Sequence, residues 1–132
     1  MAAKYLFYNI ESSVGRYCPN KADDVYLIRF LLRRINNVPE INGPFKQLPV
    51  IGTWDPQLSD AILWFQKTVK SSGKPIGTDG RVDPSPTIGS GHYTVTYLNA
   101  TYMKRYPQYK HRFESDPEFP NALRPSVEHV YV

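Results

Sequence analysis

The chain carries a single cysteine, Cys18, so no disulfide can form within it and folding does not demand an oxidising compartment. Long apolar runs are missing as well: no stretch approaches the roughly 18 apolar residues of a membrane span. The segment from Met1 to Ile10 lacks the continuous apolar centre of a signal peptide and is closed by Asn9 and Glu11. The expectation is synthesis as a soluble cytoplasmic protein, with any export handled by a dedicated machine. Metal-ligand spacing is absent too. His92, His111 and His129 lie far apart without paired ligands, so no zinc site is expected. Asp79 and Asp83 lack the alternating oxygen ligands of a twelve-residue calcium loop and read as a turn and a helix cap. No cofactor is implied.

What is present is ordinary for a soluble globular domain: 132 residues, 41% hydrophobic and 21% charged. The formal charge of +4 gives mild attraction to anions, among them nucleic acid, acidic lipid and carboxylate-bearing peptides, without choosing between them.

Tyr5 to Ile10 is rich in β-formers and reads as a short strand or an apolar flap. A first helix is predicted from near Asp23, capped by Asn20 or Asp23, with Val25, Ile28, Leu31, Leu32 and Ile35 on its inner face. Arg29, Arg33 and Arg34 fall on other faces, and Asn36-Asn37-Val38-Pro39 ends the helix. A second helix opens at Asp55-Pro56, an N-cap followed by proline at the first helical position, and closes at Ser71-Ser72-Gly73. Its buried face is Leu58, Ala61, Ile62, Phe65 and Val69. Tyr93, Tyr97, Leu98, Tyr102 and Tyr106 have the spacing of a third helix, although Thr94, Val95 and Thr96 leave a strand at 93–97 open. The fold class is therefore mainly α: three helices, long loops, a domain over residues 1–106 with a short N-terminal extension, and an irregular C-terminal arm, 107–132. The arm is expected to pack through Phe113, Phe119 and Leu123.

Gly52-Thr-Trp-Asp-Pro56 and Gly80-Arg-Val-Asp-Pro84 share one pattern, each ahead of a predicted helix, which favours a duplicated loop-then-helix unit. Three blocks carry a family resemblance. They are Val14-Gly15, Asn20 and Asp24-Val25-Tyr-Leu-Ile28-Arg29-Phe-Leu31-Leu32; Gly52-Thr-Trp54-Asp55-Pro56-Gln-Leu58 running on to Ala61-Ile62-Leu-Trp-Phe65-Gln66; and Asp79-Gly80-Arg-Val82-Asp83-Pro84. In order and spacing they resemble the peptidoglycan-binding-like domains, over roughly Val14 to Thr87. The resemblance implies a compact three-helix module that binds cell-wall glycopeptide, usually beside a separate catalytic domain, which this chain lacks. Arg29 stands where the family has glutamine, Leu58 where it has threonine, and Asp55 and Asp83 where it has glycines. These departures bear on ligand contacts rather than on the fold. Apart from the family, Phe65 reads as a core anchor and Gln66 as an amide that can satisfy backbone groups of an adjacent loop.

No catalytic residues are expected. Cys18-Pro19 is not the helix N-terminus that would activate a thiol, so Cys18 reads as a small buried or half-buried side chain. Glu114-Ser-Asp116-Pro-Glu118 reads as a solvated loop. Tyr102, Lys104, Arg105, Tyr106, Tyr109, Lys110 and Arg112 interleave bases with aromatics, a pattern that can hold single-stranded nucleic acid, but the acids nearby break a continuous phosphate track and no nucleic-acid partner is expected. For a saccharide ligand, Tyr17, Trp54, Arg81 and His92 sit in predicted loops near helix ends and are the expected ligand-binding residues. The competing reading of Trp54 is that it folds inward to seal the core. The expected partner is peptidoglycan. The alternative reuses the fold as a protein-interaction subunit or inhibitor, binding a cell-wall enzyme or serving as an accessory part of a bacterial secretion or phage-like injection machine.

Overall fold

The computed structural model describes residues 6–87, 89–123 and 130–131. Tyr5, at the start of the predicted strand, and His129 lie outside them. The chain is mainly helical: α1 spans Ala22–Asn36, α2 Pro56–Ser71 and α3 Thr94–Arg105. Three single 3-10 turns follow at Pro107–Tyr109, Phe113–Ser115 and Asn121–Leu123. A minimal antiparallel ribbon joins β1, Leu6–Phe7, to β2, Val130–Tyr131.

Helix α2 forms as its sequence dictates. Asp55 accepts the Leu58 N–H at 2.9 Å, Pro56 occupies the first turn, and Gly73 just past the end takes φ 94. Helix α3 resolves the open choice at 93–97: it begins at Thr94, and Leu98 and Tyr102 turn inward on one face. Helix α1 begins differently from expectation. Lys21 holds the N-cap position without a side-chain cap, while Asp24 reaches outward to accept the Glu11 and Ser12 N–H groups, each at 3.0 Å. Asn20 is used in the loop before the helix instead.

Helix α1 packs against both α2 and α3. Ile28, Phe65 and Leu98, one from each helix, belong to a single buried cluster. Because α1 is covered on several sides, Leu27, Arg29 and Phe30 are buried along with its predicted inner face. Arg29 does lie off the predicted inner face, but its own face is covered too and the side chain is fully buried. Its Nε and Nη2 donate to the Thr53 carbonyl at 3.1 and 2.7 Å, Nη1 donates to Pro49 O at 3.2 Å, and Nη2 lies 3.3 Å from Asp55 Oδ1. The guanidinium clamps the loop that launches α2, and the multiple acceptors offset its desolvation.

The C-terminal segment lies in the same core. Phe113, Phe119 and Leu123 are buried; Phe113 stacks on Tyr8 with ring centroids 4.1 Å apart, and Phe119 meets Phe30 edge-on at 5.2 Å. Asn99 pairs with the Tyr8 backbone as a strand would, accepting its N–H at 2.8 Å and donating to its carbonyl at 2.9 Å. The stretch 114–118 is not the solvated loop its composition indicated. Asp116 is fully buried, accepting from Arg34 Nε at 2.9 Å and from the Tyr102 hydroxyl at 2.7 Å, while Arg34 also pairs with Glu118. The Arg34 guanidinium covers the Tyr106 ring at 4.1 Å. Burial alone would lower the Arg34 pKa, but Asp116, Tyr106 and Glu118 outweigh it and hold it above the ordinary value. Burial, and then the bond to Asp116, push the Tyr102 phenol well up.

Candidate functional site

The first and third blocks meet as backbone. Val14 and Val82 exchange two hydrogen bonds of 2.9 Å, and a Cβ on Gly15 would stand 3.2 Å from Arg81, so the two loops touch where glycine leaves room. The second block binds both. Gln66, buried at the middle of α2, accepts the Gly80 N–H at 2.8 Å through Oε1. Its Nε2 faces Asp79 Oδ1 at 3.0 Å, Arg81 O at 2.9 Å and Thr94 Oγ1 at 2.9 Å. One amide thus fixes the 79–81 turn to the start of α3, as the sequence indicated for its role toward a neighbouring loop.

Beside this junction lies an open groove of about 410 Å³ lined by Arg16, Ser59, Asp60, Leu63, Asp79, Gly80 and Arg81. Charges of both signs reach it: Arg16 and Arg81 against Asp60 and Asp79. Arg81 is held by a two-point pair with Asp83, Nε to Oδ1 at 3.0 Å and Nη2 to Oδ2 at 3.2 Å, and Asp83 also accepts the Ser13 hydroxyl at 2.5 Å. Asp83 therefore does not cap a helix. The second Gly-x-apolar-Asp-Pro copy runs into a loop, and α3 starts only at Thr94, which removes the basis for a duplicated unit.

Of the expected site residues, Arg81 lines the groove directly. Trp54 borders it: its indole N–H donates to Ser59 Oγ at 2.9 Å and Arg16 lies over its ring at 5.2 Å. It is half-buried, so neither the displayed nor the fully sealed reading holds alone. Tyr17 follows Arg16 in the chain and is 97% exposed with φ 63, a left-handed conformation unusual for a bulky residue. Asn20 braces that conformation: its Oδ1 accepts the Gly15 N–H at 2.9 Å, and its Nδ2 donates to Gly15 O at 2.8 Å and Cys18 O at 3.0 Å. His92, exposed with φ 74 in the turn before α3, is not among the lining residues. Sequence reasoning missed Arg16, Ser59 and Asp60. The signal for Ser59 was its position one helical turn beyond Trp54 and the α2 start.

Burial raises the Cys18 thiol above its ordinary pKa despite Arg81 nearby, the reverse of what a thiolate nucleophile needs. Among the described residues, no group of three or more His, Cys, Asp or Glu side chains is placed to hold a metal ion. No helix among them is long and apolar enough to cross a membrane. Comparison with protein-family models, curated proteins and solved structures gives no match.

Proposed function

We propose that the protein is a non-catalytic binding module for peptidoglycan-type glycopeptide, a member in kind of the peptidoglycan-binding-like domains its three blocks resemble. The observation that carries this reading is Tyr17: a nearly wholly exposed aromatic, held in a strained conformation by Asn20 and following in the chain Arg16, which lines a groove of mixed charge. Strain of this kind persists where the surroundings over-determine it, and it concentrates at binding sites. A tyrosine face offers apolar contact to a sugar ring. Arg16 and Arg81 suit the carboxylates of a peptide stem, and Asp60 and Asp79 suit its amines. On this reading the four charged side chains of the groove hold the ligand's own charges, and the groove orients a ligand without cleaving it.

The test is co-sedimentation with purified sacculi. Wild type is expected in the pellet, Tyr17→Ala is expected to lose roughly tenfold or more in affinity, an effect of hot-spot size, and no soluble wall fragments should be released. Wild type remaining in the supernatant would end the wall reading, and release of fragments would end the non-catalytic one.

Tyr17 also favours the protein-interaction alternative, because exposed tyrosine is a frequent interface anchor and Ile51, 43% exposed, is a further apolar surface residue. That reading expects one stoichiometric protein partner lost on Tyr17→Ala, with no sacculus binding. A monomer that purifies alone counts against it.

A further inference from the structure

The excess positive charge of the chain is not spread over it. Pro84 to Phe113 contains no Asp or Glu, yet holds Lys104, Arg105, Lys110 and Arg112; outside these four, twelve Lys and Arg face twelve Asp and Glu. The entire formal surplus of +4 therefore comes from residues 104–112. The structure gathers them at one corner. Lys104 and Arg105 end α3, and successive turns, Tyr109 N–H to Tyr106 O at 3.0 Å, Lys110 N–H to Pro107 O at 3.3 Å and Arg112 N–H to Tyr109 O at 3.0 Å, fold the chain back on itself. At a 3-10 rise of about 2 Å per residue the four bases fall within roughly 16 Å.

All four are exposed. Among the described residues Lys104, Arg105 and Lys110 have no carboxylate within ion-pairing distance, and Arg112 has only a loose 3.8 Å pair with Glu114. Two of the acids that follow in the sequence are occupied elsewhere: Asp116 is buried against Arg34 and Tyr102, and Glu118 is paired with Arg34; Glu114, 9% exposed, reaches the corner only through that long contact with Arg112. The helix dipole accounts for Lys104 and Arg105 at the α3 end. It does not account for Lys110 and Arg112 beyond it.

The tyrosines here are packed against the fold rather than displayed. Tyr106 is covered by Arg34 on one side and lies 5.3 Å from the Tyr102 ring, with its hydroxyl donating to Arg34 O at 2.6 Å. Tyr109 is partly buried against the core. The large exposed apolar side chains among the described residues, Tyr17 and Ile51, lie outside this segment, so nothing at the corner is suited to enter a bilayer. We infer that residues 104–112 form a second binding surface, at the opposite end of α3 from Thr94 and the groove, for a base-free phosphodiester polymer held through its phosphates alone. The inference stands independently of the wall reading.

The probe is a fluorescent abasic phosphodiester 12-mer, with oligo-dT of equal length and anionic phosphatidylglycerol vesicles as the other arms, read by anisotropy and co-sedimentation. Four contacts on a single strand give a log–log salt slope near −2.8, roughly a 50-fold loss of affinity between about 50 and 200 mM salt. Lys110→Glu with Arg112→Glu is expected to weaken abasic binding at least tenfold, and Lys104→Gln with Lys110→Gln to flatten the slope by about one half. Lys67→Glu with Lys70→Glu, an equal charge change on α2, should leave binding nearly unchanged. Near-ultraviolet circular dichroism checks that each variant is folded. An equal loss in the α2 control, oligo-dT binding tenfold tighter than the abasic chain, binding to vesicles only, or no binding at low salt would each overturn the inference.

Discussion

Replacing Tyr17 separates what the residue costs the fold from what it does for binding. Its side chain is 97% exposed, so truncation to alanine removes almost no packing and should change stability by no more than about 0.5 kcal/mol. Alanine keeps the Cβ and therefore the left-handed strain at φ 63, which for an L residue is worth roughly 1–2 kcal/mol. Glycine removes that strain but adds about 0.5–1 kcal/mol of unfolded-state freedom. The Tyr17→Gly protein should thus be more stable than Tyr17→Ala by about 0.5–1 kcal/mol, or roughly 2–4 °C in Tm. This reverses the order that alanine and glycine show inside helices. Thermal and urea unfolding of both variants, read by far-ultraviolet circular dichroism, measure it. If Tyr17→Ala equals or exceeds Tyr17→Gly in stability, residue 17 is not left-handed in solution and the display argument fails. If the order holds and neither variant binds the ligand, the tyrosine ring serves binding and its left-handed placement is a cost to folding.

Two further outcomes test the scaffold. Arg29→Met leaves the Thr53 and Pro49 carbonyls without their buried donor and Asp55 without its partner, and should cost about 3 kcal/mol, near 10 °C in Tm; a loss under about 0.5 kcal/mol would show that the clamp is dispensable. The Tyr102 pKa is raised on folding, so its contribution is complete below the ordinary tyrosine value and is lost as pH climbs above it. Stability should fall by about 1.4 kcal/mol per pH unit above roughly pH 10 through this group, and Tyr102→Phe should flatten that slope. An unchanged alkaline slope in Tyr102→Phe would contradict the assignment.

The parts of the fold legible in the sequence were those set by local chemistry. Asp55-Pro56 and Ser72-Gly73 bracket α2 because capping and positive φ are local requirements. The amide of Gln66 was readable because a polar group beside the core anchor Phe65 needs partners, and the nearby glycine turn supplies them. Arg29 was not readable by helical periodicity, which assumes one buried face. The buried Leu27 and Phe30 on either side of that face were the sign that α1 is enclosed. The second Asp-Pro misled because the pattern is shared while the partner differs: Asp83 binds Arg81 and Ser13 instead of a free helix amide. Arg29 and Asp55 lie 3.3 Å apart across the α2 entry, a pairing that no local pattern in either segment could show. The groove itself depends on loops distant in sequence, so Arg16 and Asp60 carried no local signal, and His92 was grouped with it only by lying in a loop near a helix end.

Amide-resolved NMR titration with a soluble disaccharide-tetrapeptide fragment of peptidoglycan addresses the site most directly. Shifts concentrated at the Tyr17, Gly80 and Arg81 amides and the Trp54 indole N–H, with the Lys104 to Arg112 amides still, are the predicted result. Saturating fragment with no shifts, or shifts that avoid the groove altogether, would contradict the account.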